Sequence, residues 1–281
     1  MSILEAIPQL FSYAFLVRAL LVGVLISLTA SLLGVSLVLK RFSMIGDGLS
    51  HVGFGSLAVA TAFNWAPLVV SIPVVVAAAF LLLRLSERGR IKGDAAIALV
   101  SARALAFGIF IASMTTGMNT DIESYLFGSI LALTREDVIL SLALSLIVLV
   151  VFVLFYHRIF AVTFDEAYAR ATGIPVQWYN TVLALLTALT IVLGMRMMGA
   201  LLISSLVIFP ALSSMWLCKR FSAVTVCAAV ISVLCFFIGL LVSFAYRTPT
   251  GASIVLANLG AFIIFYLISR LRRVKPLKPD R

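Results

Sequence analysis

The stretch KRFSMIGDGLSHVGFGSLAVA, residues 40–60, runs from two adjacent cations into an apolar segment that holds Asp47 and His51 one helical turn apart. A Lys-Arg pair between two apolar segments marks a short loop between membrane spans. The segment before it, from about residue 14 to 38, and the one after it, 45–64, each approach the ~20 residues needed to cross a bilayer. Reading outward, apolar segments of this kind continue at 66–83, 95–115, 138–156, 181–197, 199–217, 224–245 and 250–269, with 199–217 the candidate for a re-entrant element. The 281 residues are 63% hydrophobic and 11% charged, whereas soluble domains carry about 25% charged residues. The expected fold is therefore all-α: a polytopic helical membrane protein of about 8–9 transmembrane helices, nine by this count. Short segments of alternating hydrophobicity, which a membrane barrel requires, are absent.

The formal charge of +10 raises the question of nucleic acid. The distribution excludes it as a partner, because the cations gather in short loops between spans. Alternating the spans puts Lys40 and Arg41, the loop 84–94, the stretch 157–180, Lys219 and Arg220, and the tail 270–281 on one side, with 16 of the 21 Lys and Arg. The other side holds Arg18, Arg135 and Arg247 beside Glu5, Asp121, Glu123, Glu136 and Asp137. Positive charge favours the cytoplasmic face, so the N-terminus is expected outside and the C-terminus inside. The start, MSILEAIPQLFSYAF, lacks a basic region and a cleavage site and reads as mature protein. With no Pro-rich or Gly/Ser linker, residues 1–281 read as a single transmembrane domain. The basic tail 270–281 is solvated and suited to anionic lipid head groups. Cys218, Cys227 and Cys235 show no paired spacing and read as buried thiols.

Asp47, His51, Arg103 and Arg196 remain within spans. A charge at the bilayer centre costs at least ~2.5–3.5 kcal/mol on insertion scales, so each needs a partner, a cavity or a function. Asp47 and His51 are spaced i, i+4 and share a helix face. A carboxylate and an imidazole there make half a site for a divalent transition metal; a structural hydrogen bond and a proton relay are the other readings. Gly46, Gly48, Gly53 and Gly55 form a small-residue surface for close helix packing. His157 sits at a span end beside Arg158 and reads as interfacial. Arg103 and Arg196 read as interior and paired, with snorkelling to the interface open to Arg196.

No P-loop, H-E-x-x-H or G-x-S-x-G motif is present, so neither ATP binding through a P-loop nor a common hydrolase chemistry is indicated. The loops are too short for an enzymatic domain. Within 163–180, TFDEAYARATGIPVQWYN, a short helix is expected, with Asp165 as its N-cap, Gly173 as its stop and Pro175 beyond. Such a helix at the inner face suits either a groove on a partner protein or a plain linker.

GDGLSHVGFGSLAVA (46–60), DIESYLFGSILALT (121–134), FDEAYARATGIPV (164–176), RMMGALLISSLVIFPA (196–211) and TPTGASIVLANLG (248–260) together resemble the permease subunit of bacterial zinc/manganese/iron ABC transporters, over nearly the whole chain. The resemblance implies a type II importer architecture: a homodimer docked on two separate ATPase subunits and supplied by an extracytoplasmic metal-binding protein, in the bacterial cytoplasmic membrane. It implies a transient metal contact at Asp47 and His51, donated by both subunits. It also implies a coupling segment from Asp165 through Glu166, Arg170 and Gly173 to Pro175, seated on the ATPase. The chain would then be a transport subunit and not an enzyme, with no permanently bound cofactor. Zinc is the favoured cargo, manganese the next, and iron fits the same donors. Arg103, in DAAIALVSARALAFG (94–108), departs from the family's small residues and is expected to pack away from the path. Two rivals stand: a secondary transporter with an Asp47/His51 proton relay, and an intramembrane enzyme using the pair as acid and base.

Overall fold

A computed structural model describes residues 14–88, 93–115, 128 and 135–271; most of the 121–134 motif, the loop residues 89–92 and the tail beyond 271 lie outside the described residues. The described chain folds into helices: α1 (Ala14–Leu39), α2 (Ile45–Ala62), α3 (Pro67–Arg88), α4 (Gly93–Met114), α5 (Arg135–Leu154), α6 (Tyr156–Phe164), α7 (Glu166–Ala171), α8 (Val176–Met198), α9 (Ala200–Leu217), α10 (Phe221–Tyr246) and α11 (Thr250–Leu271). There is no strand among the described residues.

Seven of these, α1, α3, α4, α5, α8, α10 and α11, are long and apolar enough to cross a membrane. The other two expected spans are α2 and α9, of 18 residues each. Asp47, His51 and four glycines lower the hydropathy of α2, yet Leu49, Phe54 and Leu57 are fully buried within it. The 199–217 element is a continuous helix with Pro210 inside it. Internal prolines are tolerated in membrane helices because neighbouring groups satisfy the freed carbonyl.

Burial sorts the helices into centre and rim. In α1 and α8, 67% of the span is buried, against 22% in α4 and α11. The rim helices present Phe107, Phe110, Leu146, Ile147, Ile263 and Ile264 outward, as lipid-facing surfaces require. In the centre, small residues allow backbones to meet. Gly34 of α1 lies against the Val207 carbonyl of α9, and Gly23 against the Phe236 ring of α10. Ser232 of α10 donates to the Ser27 carbonyl of α1 at 2.9 Å. Other buried hydroxyls, such as Thr187 and Thr190, bond to carbonyls one turn back in their own helix, which hides their polarity from the apolar core.

α2 packs most extensively on α4. A Cβ on Gly55 would stand 2.8 Å from the Ala104 carbonyl oxygen, and one on Gly108 2.9 Å from the Gly55 Cα. The expected small-residue surface of α2 therefore serves four neighbours: Gly48 and Gly55 meet α4 at Ile97 and Ala104, Gly53 meets Met195 of α8 and Val75 of α3, and Gly46 lies near Ser204 and Val207 of α9.

Element boundaries depart from expectation on either side of the 157–180 stretch. Pro175 occupies the N-cap of α8, so that helix starts at Val176 instead of near 181. α5 stops at Leu154, and the chain turns into α6, an element the sequence reading did not anticipate. Its Ile159 and Val162 are buried while His157 and Arg158 are exposed, an amphipathic pattern too short to stand out beside a span. Between α8 and α9 the corner is a single residue, Gly199, at φ 86° and ψ 158°. That region is open essentially to glycine alone.

Replacing Gly55 by Ala is expected to lower the thermal unfolding midpoint of the detergent-solubilised protein, with an overpacking cost of about 1–3 kcal/mol. Because the obstructing atom is a backbone carbonyl, adding Ala104→Gly does not restore it. Recovery in the double variant would show that the close approach is a side-chain contact.

Candidate functional site

The turn after α1 sets the start of α2. Phe42 N–H donates to the Leu37 carbonyl at 2.8 Å and Arg41 N–H to Val38 at 3.1 Å, with Arg41 in the left-handed region at φ 61°. This is a Schellman closure, which glycine normally supplies. α2 then begins at Ile45 and places Asp47 in its first turn and His51 one turn on. His51 Nε2 and Asp47 Oδ2 are 3.5 Å apart, with the side chains 16% and 36% exposed. That separation is long for a strong hydrogen bond. His51 Nδ1 is buried and has no hydrogen-bond partner among the described residues. Ser50 Oγ donates to the Asp47 carbonyl at 2.8 Å, so the serine turns inward on its own helix. Among the described residues no group of three or more His, Cys, Asp or Glu converges; the pair offers two donors.

The 163–180 stretch forms as expected where it was read as a short helix. Asp165 caps α7, its Oδ1 accepting from Tyr168 N–H at 2.9 Å. At the other end Gly173 N–H donates to the Arg170 carbonyl at 3.0 Å and Ile174 N–H to Ala169 at 2.9 Å. Gly173 sits at φ 80°, the left-handed position that favours glycine. Val162, Ala169 and Val176 pack together under the turn, while Tyr168 and Arg170 point to the outside.

Sequence reading missed what anchors this segment. Lys40, only 6% exposed, donates from Nζ to Glu166 Oε1 at 2.6 Å, Asn180 Oδ1 at 2.6 Å and the Val162 carbonyl at 3.3 Å. It had counted only as one of the loop cations. The signal available was an asparagine at the head of an apolar span, Asn180, which needs a polar partner when buried. Glu166 also accepts from Asn180 Nδ2 at 3.2 Å and lies 3.5 Å from Arg170. Burial alone would raise the Glu166 carboxyl, but the Lys40 ammonium, with Asn180 and Arg170, outweighs it and holds the group below its ordinary value.

At the far end of α8, Arg196 donates to Asp137 Oδ2 of α5 at 2.8 Å. The two side chains are 18% and 13% exposed, so Arg196 is paired, as one of its readings held, with a carboxylate assigned to the outer loop. Arg103 is not interior: it lies exposed on the outward face of α4 beside Ala102 and Ala106, which corrects the paired, interior reading. Of the thiols, Cys235 is buried, whereas Cys218 and Cys227 are half-buried and lie near each other. Helix packing supplies that proximity, which the sequence spacing hid.

A bundle of apolar helices with a polar pair on an interior helix and a capped, charged helix at its basic end defines a multi-span membrane permease. The chain matches the ABC 3 transport family over residues 12–269 and belongs to it. It is 30% identical over 261 residues to the manganese transport system membrane protein MntC of Halalkalibacterium halodurans, covering 93% of this chain and 89% of that one. It is 31% identical over 239 residues to the high-affinity zinc uptake system membrane protein ZnuB of Buchnera aphidicola, covering 85% and 91%. Its fold superposes on PsaBC from Streptococcus pneumoniae, solved in complex with Fab, with a TM-score of 0.86 and 26% identity over 97% of this chain and 98% of that one. The chain is thus a transport subunit of the ATP-binding cassette class, and family membership does not favour the proton-relay reading.

A carboxyl held below its unfolded value stabilises the fold above that value, and the contribution is lost as pH falls through the folded one. Wild type is therefore expected to melt above Glu166→Gln at pH 7, with the gap closing as pH drops below the ordinary carboxyl value of 4.5. Thermal scans of both proteins across that range make the measurement. A gap that stays constant would remove the Lys40–Glu166 charge from the account.

Proposed function

We propose that this chain is the pore subunit of an importer for divalent transition metal ions, with Asp47 and His51 as the transient contact on the route. The observation that carries this reading is the pairing of His51 Nε2 with Asp47 Oδ2, 3.5 Å apart on an interior helix, while the other ring nitrogen, Nδ1, is buried without a partner. A passing cation between Nε2 and the carboxylate takes a ligand bond from each. Two donors per chain bind loosely, which suits an ion that must leave again. A second copy of the chain, related by two-fold symmetry, would bring a second Asp47/His51 pair to the same path.

Zinc is the proposed cargo, because imidazole with carboxylate suits it. Manganese and iron accept the same donors, and the relatives named for transport include both manganese and zinc systems. The whole chain acts as one transmembrane domain in the bacterial cytoplasmic membrane, with its N-terminus outside and its basic end in the cytoplasm, in contact with lipid. ATP is hydrolysed by a pair of separate ATPase chains, and an extracytoplasmic binding protein delivers the ion. Asp165, Glu166, Arg170, Gly173 and Pro175 shape the segment that meets the ATPase; Tyr168 and Arg170 supply its exposed face.

Metal content of cells expressing the chain with its ATPase and binding protein, read by mass spectrometry, tests the assignment. Zinc is expected to accumulate with wild type and to stay at background with His51→Ala, while the variant still assembles with the ATPase. Accumulation of manganese or iron instead would correct the cargo. Undiminished uptake by His51→Ala would remove His51 from the route. Separately, Tyr168→Ala, which removes an exposed side chain outside the Lys40–Glu166–Asn180 contacts, is expected to weaken co-purification of the ATPase without changing the melting temperature of the isolated chain, and an unchanged yield counts against the docking assignment.

A further inference from the structure

The anchor beneath the docking segment reaches further than that segment. Lys40 is the C-cap of α1, and its ammonium has three donors. Three acceptors stand around it from three successive elements: the Val162 carbonyl of α6, Glu166 Oε1 of α7 and Asn180 Oδ1 of α8. The side chain thus ties the whole α6–α7–α8 junction to the end of α1. On the main-chain side, Lys40 sits in the closed turn at φ 61° for Arg41, which leads within four residues, 41–44, to α2. Phe42 is bonded back to Leu37, Ile45 to Phe42, and Gly48 to Met44, leaving little slack between the ammonium and the helix that carries Asp47 and His51.

Beside the ammonium lies a hollow lined by Leu37, Phe42, Ile45, Leu83, Leu183 and Ala184. The packing on that side of the corner is apolar and incomplete. Apolar packing slides at small cost, but the Lys40 ammonium, only 6% exposed, cannot leave its carboxylate without becoming a buried charge short of its partner. Displacement of α7 is therefore passed to Lys40 and through the short turn to α2.

We propose that Lys40 is the positioning residue that transmits movement of the α7 segment to the Asp47/His51 helix. The proposal rests on the function assigned above, and adds to it a route inside the chain that joins the ATPase-facing segment to the metal contact.

The test uses the full transporter, permease with ATPase and binding protein, reconstituted in liposomes, with zinc uptake and phosphate release read in the same vesicles. In Lys40→Met, which keeps the length and loses the charge, zinc moved per ATP hydrolysed is expected to fall about tenfold, within the usual range of coupling between sites. The complex is expected to assemble and hydrolyse ATP as wild type does. Lys40→Arg, which keeps the charge, restores most of the ratio. A ratio equal to wild type in Lys40→Met overturns the proposal. So does a fall in uptake and hydrolysis together, in proportion to the complex assembled, because that is the signature of a merely structural residue. Where Lys40→Met does not assemble, Glu166→Gln, which keeps Lys40 and removes the charge that ties α7 to it, is read by the same ratio in the complex that assembles: a loss with hydrolysis retained supports the route and a wild-type ratio overturns it. Wild-type vesicles that take up no zinc, manganese or iron would sink the importer reading itself, an outcome distinct from an unchanged ratio.

Discussion

A bilayer core offers no water to a backbone amide or a side-chain dipole, and this constraint shapes every element of the permease. Backbone groups are satisfied within helices. Buried hydroxyls turn back onto carbonyls of their own helices, as Thr187 and Ser50 do. Other polar groups are paired across helices: Ser232 with the Ser27 carbonyl, and the charged side chains of Lys40 and Arg196 with Glu166 and Asp137 near the two ends of α8.

The two principal ionic anchors share one helix. α8 contributes Asn180 to the Lys40 cluster at its first turns and Arg196 to the Asp137 pair at its last. Between them α8 is one of the two most buried spans, and its Met195 packs against Gly53 of α2. The helix that carries Asp47 and His51 therefore leans on a helix pinned at both ends. Ionic contacts set the ends because they are directional, and small residues set the middle because dispersion forces depend on close approach. Gly55 and Gly108 bring α2 and α4 together where no side chain fits between them.

This division of labour suits a transport subunit. The Asp47/His51 pair is partly buried and loose, its nearest side-chain atoms 3.5 Å apart. The α7 segment is the opposite: capped by Asp165, closed at Gly173 and tied to the bundle through Lys40.

Much of this was legible in the order of residues. Hydropathy marked the seven helices long and apolar enough to cross a membrane, and the shorter α2 and α9 beside them, because a bilayer imposes a length and a polarity on each segment by itself. The cap at Asp165 and the stop at Gly173 were legible for the same reason, since capping is local chemistry within a few residues. The i, i+4 spacing placed Asp47 and His51 on one face without any knowledge of the neighbours. Family motifs added the transport class. What the sequence could not reveal depends on residues distant along the chain. Lys40 meets Glu166 and Asn180 across 126 and 140 positions, and Arg196 meets Asp137 across 59. Arg103 faces outward and the Cys218 and Cys227 thiols approach each other for the same reason. Each follows from how helices rotate and pack once they are side by side, a choice made by interlocking surfaces of several helices at once and by none of them alone.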